Sequence, residues 1–217
     1  MKVKVCGLRE PDNVKEILDL GVDYLGFIFY EKSNRYVGNT ELAGWIAKNE
    51  ALFNGVAKVG VFVNAEVDTI LNSVHDYQLD YVQLHGDESP GYCRELQLLW
   101  SVSTLRTAKL VKAFSVGPDF DWAATEPYAD SCDFFIFDTG GQAEHGGTGV
   151  KWNWSLLDAY QGKTPFLLSG GIGPQDARRV QLVDHPAFAG VDLNSRFEVV
   201  PGRKDAESLG KFLAELS

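Results

Sequence analysis

Two side chains able to move protons stand at the ends of hydrophobic runs. Cys6 closes Val3-Lys4-Val5-Cys6, and Asp138 closes Phe134-Phe135-Ile136-Phe137-Asp138. A thiolate is a base or nucleophile and a protonated carboxyl is an acid, so the two together could work on opposite sides of one small molecule. Other polar residues follow further hydrophobic runs: Ser33-Asn34-Arg35, Asn64, Gln83-Leu84-His85-Gly86, Ser115, Ser169-Gly170-Gly171-Ile172-Gly173 and Asp192-Leu193-Asn194-Ser195. An arginine such as Arg35 can grip a carboxylate with two parallel hydrogen bonds. Glycines such as Gly171 and Gly173 let the backbone approach an anion, and Asn194-Ser195-Arg196 could open a short helix whose amides point at it. Each residue also has a plainer use. Cys6 could be a small buried hydrophobe, Asp138 a cap, Arg35 a solvated loop residue, His85 a structural histidine, and Asp192 an anchor for its own loop.

The elements that must carry these groups are legible as short, β-branched, nearly continuous apolar runs. They are Val3–Cys6, Tyr24–Phe29, Val59–Val63, Tyr81–Leu84, Leu110–Phe114, Phe134–Phe137, Phe166–Leu168 and Gly190–Leu193. Such runs suit parallel strands covered on both faces. Between them, Asp12–Leu20 and Ala65–Tyr77 place apolar residues at helical spacing. Ser89-Pro90 and Gly173-Pro174 resemble helix starts, and Lys204–Leu216 closes the chain with a further amphipathic helix. Helices are expected between all eight strands, and Cys93 and Cys132 are expected within helices as packing residues. Eight strand–helix alternations with no linker predict an α/β fold, a single-domain (β/α)8 TIM barrel, whose site lies at the carboxyl ends of the strands. An open doubly wound sheet is the rival. It ordinarily carries a glycine fingerprint after its first strand, where Cys6-Gly7-Leu8-Arg9 stands here.

Composition narrows the partners. Thirty acidic against 20 basic side chains give a net charge of -10, which opposes binding to nucleic acid or an anionic membrane. A phosphate would have to be held locally, by oriented amides. Three cysteines without metal-type spacing predict neither a metal site nor a disulfide framework. No apolar run has transmembrane length and no secretory signal opens the chain, so a cytoplasmic protein is expected, monomeric or homodimeric.

Taken in order, Lys4-Val5-Cys6-Gly7-Leu8, Gly26-Phe27-Ile28-Phe29 with Ser33-Asn34-Arg35, Gln83-Leu84-His85-Gly86, Asp138, Gly146-Gly147-Thr148-Gly149 with Trp154, Leu168-Ser169-Gly170-Gly171, Gly190-Val191-Asp192, and Glu198 with Pro201-Gly202-Lys204-Asp205 form a specific pattern. Over essentially its whole length the chain resembles the phosphoribosylanthranilate isomerase family of tryptophan biosynthesis. It departs from the family's usual Ser-Pro-Arg at Asn34, and from its Ser-Ser-Gly-Val-Glu across Asn194–Glu198.

The resemblance implies an Amadori rearrangement of a phosphoribosyl anthranilate, with Cys6 as general base and Asp138 as general acid. Arg35 would hold the anthranilate carboxylate, with Gln83, His85 and Asp192 contacting the rest of the substrate. Gly171, Gly173, Asn194, Ser195 and Arg196 would bind its phosphate. Both chemical steps are proton transfers, so neither metal nor redox cofactor is expected. An acid–base pair predicts a bell-shaped pH profile, its acidic limb set by the base. The glycine-rich stretch Gly140–Gly149 is expected to fold over the substrate as a mobile loop, and Trp152 and Trp154 to pack the following helix. Two other readings stay open: a different phosphosugar aldose–ketose isomerase, and a noncatalytic phosphosugar-binding barrel.

Overall fold

The computed structural model describes residues 1–38, 41–102, 106–139 and 153–216. Its eight parallel strands are β1 (Lys2–Cys6), β2 (Tyr24–Ile28), β3 (Ala57–Phe62), β4 (Tyr81–Leu84), β5 (Lys109–Val116), β6 (Phe134–Thr139), β7 (Phe166–Leu168) and β8 (Phe188–Leu193). They close into a barrel in chain order, β1 pairing with β2 on one side and β8 on the other. The ring meets the expectation of a (β/α)8 barrel and excludes the open sheet.

Alternation along each strand divides the hydrophobic residues into two cores. The inner one fills the barrel with Val111, Ala113, Phe134, Ile136 and Leu167. Below it Tyr24, Tyr81 and Phe134 touch pairwise, with ring centroids 5.4–5.6 Å apart, and plug the amino-terminal end. The outer core lies between sheet and helices and takes the opposite faces, including Val5, Leu25, Phe27, Phe62, Val82, Leu84, Phe135, Phe137 and Val191. Each such side chain, fully buried, contributes about 1.5–3 kcal/mol relative to exposure. Strands apolar on both faces follow from this two-sided burial.

The helices are α1 (Pro11–Leu18), α2 (Leu42–Lys48), α3 (Val67–Asp76), α4 (Pro90–Val102), α5 (Ala177–Gln181) and α6 (Ala206–Leu216). Local chemistry starts them. Pro11 and Pro90 occupy first positions, Ser89 Oγ accepts from the Tyr92 amide at 3.2 Å, and Asp205 Oδ1 accepts from Ser208 at 3.0 Å.

Three expectations need correction. The described link between β5 and β6 is a 3-10 segment, Trp122–Tyr128, rather than an α-helix: Pro127 withholds an amide and restricts the residue before it. Before β7 there is likewise a 3-10 segment, Trp154–Ala159, capped by Asn153. Cys132 lies in the turn before β6, not in a helix, although it is buried; Cys93 does lie in α4. Lys204 belongs to a small hairpin, β9 (Glu198–Val200) with β10 (Arg203–Lys204), which precedes α6. Gly140–Gly149 and Trp152 lie outside the described residues. Trp154 packs as expected, buried with the Arg179 guanidinium 3.7 Å from its ring centre. No helix among the described residues is long and apolar enough to cross a membrane.

Candidate active site

The carboxyl ends of the strands bring Cys6, Gln83, His85, Asp138 and Asp192 to one mouth of the barrel. Cys6 ends β1 and Asp138 sits near the end of β6, three strands away around an eight-membered ring. Space for the thiol comes from β2, where Gly26 pairs directly with Cys6. A Cβ there would stand 2.7 Å from Sγ and 2.9 Å from the Cys6 Cα, so no larger residue fits without displacing the thiol. Asp138 is fixed by the residue after it: its Oδ1 accepts from the Thr139 amide at 2.7 Å. Gly170, after β7, holds a φ of +88°, and a Cβ there would meet Thr139 Oγ1 and stand 2.7 Å from Asp138 Oδ1. The glycine lets the β7 loop close against the acid.

Between these two lies a hydrogen-bonded polar layer. Gln83 Nε2 stands 2.7 Å from His85 Nδ1, and His85 Nε2 faces Asp138 Oδ2 at 3.6 Å. With the Gln83 amide donating, Nδ1 accepts and the ring proton sits on Nε2, toward Asp138. Gln83 Oε1 is buried without a hydrogen-bond partner among the described residues, an acceptor open to a ligand hydroxyl or N–H. On the opposite wall, Lys4 Nζ donates to Asp192 Oδ1 at 2.9 Å, and Ser169 Oγ donates to Asp192 Oδ2 at 3.4 Å.

Burial dominates the proton affinities. It pushes Asp138 above the usual carboxylate range, against the Thr139 hydrogen bond and the charge of Lys4. It raises Asp192 too, against its pair with Lys4. It raises the Cys6 thiol despite the nearby cations Lys4 and Lys204. His85 is driven down to about 4 by burial and by the charges of Lys112 and Lys4, and so is neutral at pH 7. The arrangement offers a carboxyl of raised proton affinity, a neutral imidazole and a buried thiol that feels two ammonium charges.

Arg35 reaches the rim from the loop after β2. Its Nε and Nη2 donate to Glu198 Oε1 and Oε2 at 2.8 and 2.6 Å, a bidentate pair. Lys204 Nζ donates to Glu198 as well, and to Asn194 Oδ1 at 2.7 Å. Arg35 is therefore held in place by a protein carboxylate. Lys204, which the sequence reading assigned to a helix, is wholly buried within this cluster.

The loops after β7 and β8 bear on the anion-binding expectation unevenly. The Gly173 amide donates to Asp176 Oδ2 at 2.8 Å, so this N–H is already engaged and Gly173 serves the bend. Ser195–Phe197 form one 3-10 turn in which the first internal bond runs from Phe197 N to Asn194 O, at 3.1 Å. The amides of Ser195 and Arg196 precede that bond, as the first donors of any helical turn do. The Asn194 side chain is engaged by Lys204.

Lys4, Lys204 and Ser169 are the site residues to which the sequence reading gave no role. Lys4 had a readable signal: it stands two positions before Cys6 on a strand, and period two puts both on the inward face.

Fold and site define a (β/α)8-barrel protein with titratable side chains gathered at the carboxyl mouth. Comparison with known proteins narrows the class. Residues 3–215 match the family model described as N-(5'phosphoribosyl)anthranilate (PRA) isomerase. A protein of Parabacteroides distasonis named N-(5'-phosphoribosyl)anthranilate isomerase is 43% identical over 216 residues, covering 100% of this chain and 93% of its own. One of the same name from Geobacter sp. is 37% identical over 214 residues, covering 99% of this chain and 97% of its own. Among solved structures, the phosphoribosyl anthranilate isomerase of Thermus thermophilus superposes with a TM-score of 0.81 at 26% identity, over 100% of this chain and 98% of that one. A phosphoribosyl anthranilate isomerase in complex with reduced 1-(o-carboxyphenylamino)-1-deoxyribulose 5-phosphate gives 0.80 at 29%, with the same coverage. The chain belongs to the N-(5'-phosphoribosyl)anthranilate isomerase family, isomerases of tryptophan biosynthesis.

Proposed function

We propose that this protein converts N-(5-phosphoribosyl)anthranilate into 1-(2-carboxyphenylamino)-1-deoxyribulose 5-phosphate, with Asp138 as general acid and Cys6 as general base. Asp138 gives its proton to the ring oxygen as the furanose C–O bond breaks, leaving an open-chain iminium. Cys6, as thiolate, takes the proton from sugar C2, and the resulting enolamine rearranges to the ketone. The observation that carries this reading is the pairing of a half-buried carboxyl of raised proton affinity on β6 with a buried thiol on β1, across the mouth of one barrel.

His85, neutral and close to Asp138, is suited to hydrogen bonding a sugar hydroxyl or the amine. Gln83 Oε1 and Asp192 supply acceptors for hydroxyls. Arg35, preset by Glu198, takes the anthranilate carboxylate. Gly171 and the amides of Ser195 and Arg196 receive the phosphate, with Asn194 shaping that loop and Gly173 turning the chain beneath it.

The order of proton affinities reverses the simplest assignment of the pH profile. An ordinary thiol, near pKa ~8.5, lies well above an ordinary carboxyl, near ~3.9, and burial raises both here. With that ordinary order kept, the acidic limb of kcat/KM belongs to Asp138 and the alkaline limb to Cys6. The active microstate, thiolate with protonated Asp138, is a minor one. Incubating the purified protein with freshly made phosphoribosylanthranilate should abolish the substrate's fluorescence at a catalytic rate, and Cys6→Ser should stop it. Unchanged fluorescence with tight substrate binding would identify a binding protein instead.

A further inference from the structure

Lys4 is a buried charge that the reaction, as written, does not use. Its side chain is fully enclosed within the barrel, where an unpaired ammonium is costly. The packing gives it two neighbours. Asp192 Oδ1 accepts from Nζ at 2.9 Å, and the Cys6 thiol, two residues on along the same inward face of β1, is buried beside it, where each feels the other's charge. A structural ion pair would need only the first of these. Burial works against the charge of Lys4, yet Asp192 and Cys6 together hold its proton more firmly than usual.

We propose that Lys4 is a positioning residue for the isomerase reaction: its ammonium, seated between Cys6 and Asp192, is the counter-charge that lets Cys6 carry a thiolate inside the barrel while keeping Asp192 ionised and aimed at the substrate.

This rests on the reading of Cys6 as the base. The surroundings of the thiol leave few other sources of that charge. Lys204 faces Cys6 from β10, but Glu198 and Asn194 hold its ammonium, and burial lowers its proton affinity. Arg35 is committed to Glu198. Asp192 faces the thiol from β8 with the opposite sign, and His85, from β4, is neutral. Asp138, from β6, also feels Lys4, which favours its ionised form. Lys4 therefore acts on acid and base together, and more strongly on the thiol, which shares its strand face.

The test is the pH dependence of kcat/KM in Lys4→Gln, which keeps a donor for Asp192 but no charge, and in Lys4→Met, which keeps neither. An opposite charge in contact shifts a titrating group by roughly one to three units. In both variants the alkaline limb should rise by about one unit or more, and the acidic limb by less. The pH-independent plateau should fall by the difference, about three- to tenfold. Lys4→Gln keeps the comparison available if Lys4→Met does not fold. A plateau that falls while both limbs stay in place means that Lys4 only supports the fold, and overturns the proposal. Cys6→Ser is measured alongside. If it turns over at the wild-type rate, the assignment of the base fails; an inactive Cys6→Ser with unmoved limbs in the Lys4 variants sinks the role of Lys4 alone.

Discussion

Burial raises the proton affinity of Cys6 and Asp138 alike, but to opposite effect at the two residues. It suits the acid role proposed for Asp138, in which the carboxyl holds a proton when the sugar ring arrives. It works against the base role proposed for Cys6, which asks the neighbouring ammonium groups to support a thiolate. Replacing Asp138 by Asn keeps the size of the side chain and an acceptor for the Thr139 amide, but removes the proton. Steady-state kinetics should show kcat reduced by about 10²- to 10⁴-fold, the usual worth of general acid–base assistance, with KM changed by only a few fold. A loss below about threefold with chemistry rate-limiting would move the acid elsewhere. That Cys6 and Asp138 share one mouth of the barrel was legible in the sequence, because each residue ends a hydrophobic run and strand ends in a barrel gather at one face. Lys4 carried a weaker mark: period two places it on the face of Cys6, but only the closed ring shows that face to be buried and the ammonium to be paired with Asp192.

The hairpin β9–β10 shows how an element holds a loop arginine in place. Glu198 at its start accepts from Arg35, Lys204 and the Gly202 amide, and binds the loop after β2 to the end of the barrel chain. Burial opposes its charge, but Arg35 and Lys204 prevail and hold the carboxyl below its usual range. Such a group contributes stability above its unfolded pKa, near ~4.3, and loses it as pH falls through the lower folded value. Glu198→Gln leaves Arg35 and Lys204 close together without a counter-charge. Removing one partner of a buried pair costs about 3–5 kcal/mol, and since Gln keeps the shape, about 3 kcal/mol is expected at pH 7 by urea unfolding. The gap from wild type should close as the pH falls below ~4. KM should rise as well, because Arg35 loses its support. The sequence showed Arg35 and Glu198 as separate marks. Their pairing spans 163 residues, and only ring closure brings such positions together. Lys204 was lost to the helix beside it because a two-residue strand gives no periodic signal. The 3-10 links around β6 were hidden for a related reason: apolar spacing reports which face is buried, not how tightly the chain is coiled.

Across the whole molecule, acid and site are coupled through His85. The chain carries a net charge of -10, so mild acidification relieves its self-repulsion. Asp138 and Asp192, with raised proton affinities, likewise favour the folded state as pH falls, because that state takes up their protons first. His85 opposes them. Its folded value of about 4 lies below the unfolded value near ~6.5, so the unfolded chain binds this proton first. Its contribution is full above pH ~6.5 and is lost progressively as the pH falls toward 4, by about 3 kcal/mol in all at ~1.4 kcal/mol per unit. His85→Asn should remove this loss while leaving the contributions of Asp138 and Asp192. Urea unfolding of both proteins at intervals from pH 7 to pH 4 isolates the imidazole as the difference between the two curves. That difference should favour wild type most at neutral pH and shrink or change sign on acidification. A constant difference across the range would mean that His85 keeps an ordinary proton affinity, in which case it would be partly charged beside Asp138 near neutral pH and could no longer be assigned as a neutral hydrogen-bonding group in the site.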